Sequence, residues 1–257
     1  MDFQHLIAFV TVASLAAYLQ AFTGFAFGLV IISAVAVFGL MPVEHAALIV
    51  GLLTLVNAGQ IALQGEGALL WRPFWIVLIG AVGFLPVGYF LLHYLSAHHV
   101  LALSVVLGVV IMLCSLTLAR PIAPAKRPAW PGSTLVFGAA SGLMTGLLSA
   151  GGPPLAYHFY RQPFSLAAIR ETLTTVYAIN QLVRLGLAAL VGALTPHLFL
   201  IAGLTMPAVV GGAVLAKRFP PPWPIAIVRR VVGGLLFLSG AAIAGPAAIR
   251  LLGVWSI

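Results

Sequence analysis

The chain has 257 residues, of which 62% are hydrophobic and only 6% charged. Soluble domains carry about 25% charged residues, and a soluble fold of this size cannot bury so much apolar surface, because its area shrinks too slowly with size. Its net charge of +8 sets 12 Lys and Arg against the four acidic residues Asp2, Glu44, Glu66 and Glu171. The basic residues stand mostly at the ends of apolar runs, with no basic stripe and no aromatic interleaving, so they read as cytoplasmic membrane flanks and nucleic acid is excluded as a partner.

In chain order, residues 6–22 are apolar and lead into Thr23-Gly24-Phe25-Ala26-Phe27-Gly28, followed by a short apolar run, 29–40. Glycine there favours a broken or re-entrant helix. Long apolar runs follow at 45–64, 74–95 and 98–119, each close to the roughly 20 residues that span a bilayer core as helix. The single cysteine, Cys114, lies in the last of these, so an internal disulfide is impossible. The longest polar connection, Arg120-Pro121-Ile122-Ala123-Pro124-Ala125-Lys126-Arg127-Pro128, reads as a central linker. The run 133–148 then meets a second break, Ser149-Ala150-Gly151-Gly152-Pro153-Pro154, before a short run to Tyr160. Three further spans are expected at 166–192, 197–217 and 225–252. The N-terminal residues Met1 to His5 lack the basic segment of a cleaved signal peptide and are expected to stay in the mature protein.

Sliding the chain by 123 positions pairs Gly28 with Gly151, Asn57 with Asn180, Pro73 with Pro196, Gly80 with Gly203 and Gly88 with Gly211. Glycine matches are cheap among 27 glycines, but the Asn and Pro matches share the same register. The fold expected is an all-α integral membrane protein of two repeats, residues 1–119 and 132–257, joined by a linker at 120–131, each repeat being a broken or re-entrant helix pair plus three spans. With a cytoplasmic linker the halves are inverted, both termini lie outside, and ten of the 12 basic residues (all but Arg184 and Arg250) fall on the cytoplasmic side. Eight spans in parallel halves would instead turn Arg161, Arg170, Lys217, Arg218, Arg229 and Arg230 outward, against the positive-inside rule.

Helix starts expose N–H groups and the positive end of the helix dipole. Two starts meeting near the midplane therefore form a candidate anion site, with Thr23, Gly24 and Gly28 from the first break and Ser149, Gly151 and Gly152 from the second. The alternative is that these small residues only pack helices. Asn57 and Asn180 are costly in lipid, so each either lines the site or ties helices together. Arg184, deep in its span, either faces the anion or snorkels outward. Tyr177 completes the substrate-binding set, with Gln20, Gln60 and Gln181 as weaker companions. His93, His98 and His99 cluster at an outer loop without a neighbouring cysteine or carboxylate, which favours a solvated loop over a metal site. His158 and Glu171 are either proton carriers or ordinary hydrogen-bonded groups. No ATPase loop, nucleophile elbow or zinc-protease motif occurs, so neither an enzyme nor a cofactor is expected.

The run Gln20 to Gly28, with Gly39-Leu40-Met41-Pro42 beyond it, resembles the first repeat of the TauE/SafE sulfite exporter family, and Gly142-Leu143-Met144-Thr145-Gly146-Leu147-Leu148-Ser149-Ala150-Gly151-Gly152-Pro153-Pro154 resembles the second. The likeness runs over nearly the whole chain, although Tyr157-His158-Phe159-Tyr160-Arg161 is more polar and aromatic than the aliphatic run expected there. The resemblance implies a multi-pass permease of the bacterial inner membrane that exports sulfite, sulfoacetate or other organosulfonates. Its partners would be a small anionic substrate and the lipid bilayer, and a homodimer is compatible with it. The competing readings are a permease for another solute or a metal cation, and a non-transporting membrane subunit.

Overall fold

The computed structural model describes residues 3–23, 26–62, 69–119, 128–219 and 225–254. Regular structure among them is helical throughout: α1 (Phe3–Thr23), α2 (Phe27–Phe38), α3 (Val43–Ala62), α4 (Trp71–His98), α5 (Val100–Ala119), α6 (Pro131–Leu148), α7 (Gly152–Tyr160), α8 (Leu166–Leu190), α9 (Pro196–Arg218) and α10 (Ile225–Val254). The described helices α1, α4, α8, α9 and α10 are long and apolar enough to cross a membrane. Large apolar side chains stand exposed along them, such as Trp75, Ile79, Phe84 and Phe90 on α4 and Leu235, Leu238, Ile249 and Leu252 on α10. Such stripes suit lipid rather than water as the surrounding solvent. The protein is an all-α integral membrane protein.

The two sequence breaks are real helix ends. The helices that follow them, α2 and α7, have only 12 and 9 residues. They rise about 18 and 14 Å, roughly half of a 30 Å hydrocarbon core. Gly39 closes α2 in the left-handed conformation at φ 62°, as an ordinary glycine cap does. The end of α6 is unusual: Ser149 takes the left-handed conformation at φ 53°, alone among the described non-glycine residues, and its N–H bonds to the Thr145 carbonyl at 2.9 Å. Pro153 and Pro154 then occupy the first turn of α7, where a missing N–H disrupts no helical bond.

The helix order supports a repeat. Advanced by 123 positions, the starts of α2 to α5 fall within two residues of the starts of α7 to α10. Packing follows the same exchange: α4 lies on α6 as α1 lies on α9, α3 on α9 as α8 on α4, and α2 on α10 as α7 on α5, while α3 pairs with α8 and α5 with α10.

The most extensive contacts, α4 with α6 and α5 with α10, rest on glycine. On α6, Gly138, Gly142 and Gly146 recur every fourth residue, so their bare backbones form one stripe. A Cβ on Gly142 would run into the Ala81 carbonyl, and one on Gly88 into the Leu143 carbonyl. Gly80 is likewise close to the Leu135 carbonyl, but the counterparts of Gly80 and Gly88 in the 123 register behave differently. Gly203 and Gly211 on α9 have open space where a Cβ would sit, and the close approach to α1 is made by Gly212, against the Ser14 carbonyl.

Candidate anion site

The second break is held from three sides. Ser141, on α6, donates its hydroxyl to the Gly151 carbonyl at 2.6 Å. From α3, the Ala47 carbonyl accepts the Ser149 hydroxyl at 2.6 Å. Gln181, on α8, donates its amide to the Ser149 carbonyl at 3.0 Å, and Tyr177, one turn earlier, gives its hydroxyl to the Gly152 carbonyl at 3.1 Å. Of these carbonyls, that of Ser149 lies just beyond the end of α6, where no helical partner exists. The left-handed serine costs about 1 kcal/mol, which this lattice of bonds offsets.

The first break docks directly on this structure. A Cβ added to Gly28 would sit 2.8 Å from the Ser149 carbonyl oxygen and 3.0 Å from the Ala150 Cβ, so α2 and the second break touch through bare backbone. Between them lies a small cavity of about 30 Å³, lined by Gln20, Phe27, Gly28, Thr54, Thr145, Ser149, Ala150, Gly151, Gly152, Tyr177 and Gln181. Six helices and both breaks therefore meet at one small space. None of these lining residues is a carboxylate, histidine or cysteine. The lining carries no negatively charged side chain to repel an anion and none of the carboxylate, imidazole or thiolate ligands that hold a transition metal.

The donors come unequally from the two halves. At the start of α2, the N–H groups of Phe27, Gly28 and Leu29 precede the first bond of the helix, which Val30 makes to the Ala26 carbonyl at 3.0 Å. At the start of α7, Pro153 and Pro154 have no N–H, so its first four residues offer only the N–H groups of Gly152 and Leu155. One side-chain donor stands beside them: the Gln181 amide nitrogen carries a second N–H, whereas the hydroxyls of Thr145, Ser149 and Tyr177 already donate to the Ser141, Ala47 and Gly152 carbonyls. The first break thus offers a backbone helix start, and the second fewer backbone donors with the Gln181 amide beside them.

Of the predicted site residues, Gly28, Ser149, Gly151, Gly152 and Tyr177 line the cavity together. Gln20 and Gln181, the weaker companions, line it as well. Phe27, Thr54, Thr145 and Ala150 escaped the sequence reading. Thr54 lies one turn before Asn57 on α3, so the polar position was sought on the right helix but a turn away. Thr23 ends α1 and Asn57 lies in α3, but their side chains, and Gly24 altogether, fall outside the described residues, as does the side chain of Gln60.

Asn180 and Arg184 do not line this cavity, although both are fully buried. They sit one turn apart on another face of α8. The Arg184 Nε donates to the Gly146 carbonyl at 3.3 Å, and its Cζ lies 5.6 Å from the Tyr89 ring centre. Full burial excludes the outward-snorkelling alternative. Tyr89 and Arg184 also feel the Glu44 carboxylate at the start of α3, and Glu44 Oε1 lies 3.5 Å from His93 Nδ1.

His158 is an ordinary hydrogen-bonded histidine, with Nε2 3.0 Å from the Thr134 hydroxyl and its ring stacked on Phe137 at 4.7 Å. Glu171 faces a groove between α3 and α8 with Leu55, Ala58, Gly59, Thr174, Thr175 and Ala178. His98 stacks on Tyr94 at 5.0 Å and lies beside His99. Among the described residues, no group of three or more His, Cys, Asp and Glu could hold a metal ion.

A bundle of apolar helices, with two interrupted helix pairs facing one small cavity, belongs to the class of multi-pass membrane carriers. The chain is a member of the sulfite exporter TauE/SafE family, whose model matches residues 9–243. It is similar to a probable sulfite/organosulfonate exporter TauE of Cupriavidus necator, with 36% identity over 234 residues, covering 90% of each chain. No solved structure matches it. Membership places the protein in the cell membrane as a transporter rather than an enzyme.

Proposed function

We propose that this protein exports small sulfur-containing oxyanions, sulfite or an organosulfonate, with the cavity between the two breaks as the binding site. One observation carries the reading: Gly28 from the first break and Ser149 to Gly152 from the second line a single cavity without a carboxylate. N–H groups at the start of α2, together with the second N–H of the Gln181 amide, would hold the oxyanion. Dipoles without a fixed positive charge bind weakly, which suits a site that must also release. The substrate class is supported by what the similar Cupriavidus protein is described as exporting.

The charge distribution and the helix order support two inverted halves, 1–119 and 132–257, moving against each other around the cavity in alternating access. The site is complete within one chain, so a homodimer adds nothing that it needs. Proteoliposomes loaded with radiolabelled sulfite, or with an alkylsulfonate, test the function: efflux above protein-free vesicles is expected. Flux of a divalent cation with none of either anion would overturn it. Single cysteines placed at either terminus are expected to react with an impermeant maleimide in intact cells, and protection of one terminus alone would remove the inverted arrangement.

A further inference from the structure

We infer that Asn180 and Arg184 form a second oxyanion station, one that the anion occupies after leaving the glycine-break cavity; this rests on the cavity being the first. Arg184 is fully buried, and of its guanidinium only Nε has a hydrogen-bond acceptor. Its Nη1 and Nη2 have none, and neither do the oxygen and nitrogen of the equally buried Asn180 amide. A guanidinium stripped of water is costly in a membrane unless a partner neutralises it. The groups near it are poor partners. Tyr89 presents a ring face, the Gly146 carbonyl takes only Nε, and Glu44 acts on Arg184 through its charge but makes no hydrogen bond to Nη1 or Nη2, its Oε1 lying beside His93.

Two N–H-bearing nitrogens of Arg184 and the Asn180 amide, one turn apart, suit the oxygens of a sulfite or sulfonate group. The station adjoins the cavity without being part of it. Thr145 lines the cavity, and the carbonyl of the next residue, Gly146, receives Arg184. On α8, Glu171, Thr174 and Thr175 face the groove, Tyr177 and Gln181 face the cavity, and Asn180 and Arg184, interleaved with these two, form the buried station. The geometry is that of a path along one helix, with the Tyr89 ring over its charged end.

The test uses the full-length protein and radiolabelled sulfite, measuring binding in detergent and efflux from proteoliposomes. Arg184→Gln is expected to bind sulfite within about threefold of wild type while maximal efflux falls at least about tenfold, and Arg184→Lys is expected to recover part of that efflux by restoring the charge. Asn180→Asp gives the guanidinium a permanent partner. It is expected to fold like wild type, keep binding and lose efflux, so it decides the matter even if Arg184→Gln fails to fold. Wild-type efflux in Arg184→Gln or in Asn180→Asp would overturn the second station. So would equal losses of binding and efflux in a folded variant, which would make the two stations one. Absence of sulfite binding in the wild type itself would instead overturn the proposed function, and the second station with it.

Discussion

The two breaks occupy equivalent places in the chain and are built by opposite means. The first presents the bare start of α2, with three N–H groups ahead of the first helical bond. The second is locked by Ser141, Gln181 and Tyr177 and begins α7 with two prolines that cannot donate. Positions that match in the 123 register therefore differ in chemistry. The same holds for packing, where Gly80 and Gly88 on α4 sit against carbonyls while Gly203 and Gly211 on α9 face open space.

The sharpest way to break this comparison is at the contact between the breaks. Gly28→Val places a side chain against the Ser149 carbonyl and Ala150, neither of which is a flexible chain end. Sulfite efflux is expected to fall by about 100-fold or more, since misplacing a binding element by an ångström has that effect. Efflux near wild type in reconstituted vesicles would show that the breaks need not touch.

Next in size is the helix pairing. Gly88→Ala is expected to destabilise the folded protein by about 1–3 kcal/mol through overpacking against Leu143. Its register partner Gly211→Ala, with open space, is expected to be neutral or to gain up to about 1 kcal/mol from helix propensity. Unfolding followed by tryptophan fluorescence in detergent checks both. Equal losses would mean that the α1–α9 pair is as tight as the α4–α6 pair.

The side-chain character of the second break predicts a smaller effect. Gln181→Leu deprives the Ser149 carbonyl of its donor, so a loss of about 1–3 kcal/mol in stability or an equivalent loss of sulfite binding follows. A binding titration set beside a melting curve tells which. Smallest is the serine itself. Ser149→Ala keeps the left-handed backbone and loses the bond to Ala47, at about 1 kcal/mol, whereas Ser149→Gly loses the same bond but relieves the backbone and is expected to be the milder change. If glycine proves the worse of the two, Ser149 is not strained.

Much of the fold was legible because lipid imposes simple rules. Apolar length marks spans, and glycine with proline marks interruptions, so the predicted runs at 45–64, 166–192 and 197–217 match α3, α8 and α9 closely. The site was legible only in part. The glycine breaks point to Gly28, Ser149, Gly151 and Gly152, but Gln181 ranks behind Asn180 and Arg184 in the sequence, and no sequence signal marks Thr54 or Thr145. A polar residue inside a span announces its depth in the membrane. It does not announce which neighbour it faces.

By itself, then, the sequence determined that this is an all-α membrane protein, where its helices run, and where two of them break. Only the tertiary structure decided that Tyr177 and Gln181 look into the cavity while Asn180 and Arg184, interleaved with them on α8, look elsewhere. The physical reason is azimuth. Hydropathy responds to how much of a run is apolar, whereas the face a side chain takes depends on which helices pack against its own. That is settled by bare backbone meeting bare backbone, as at Gly28 and Gly142, which no local pattern around α8 encodes.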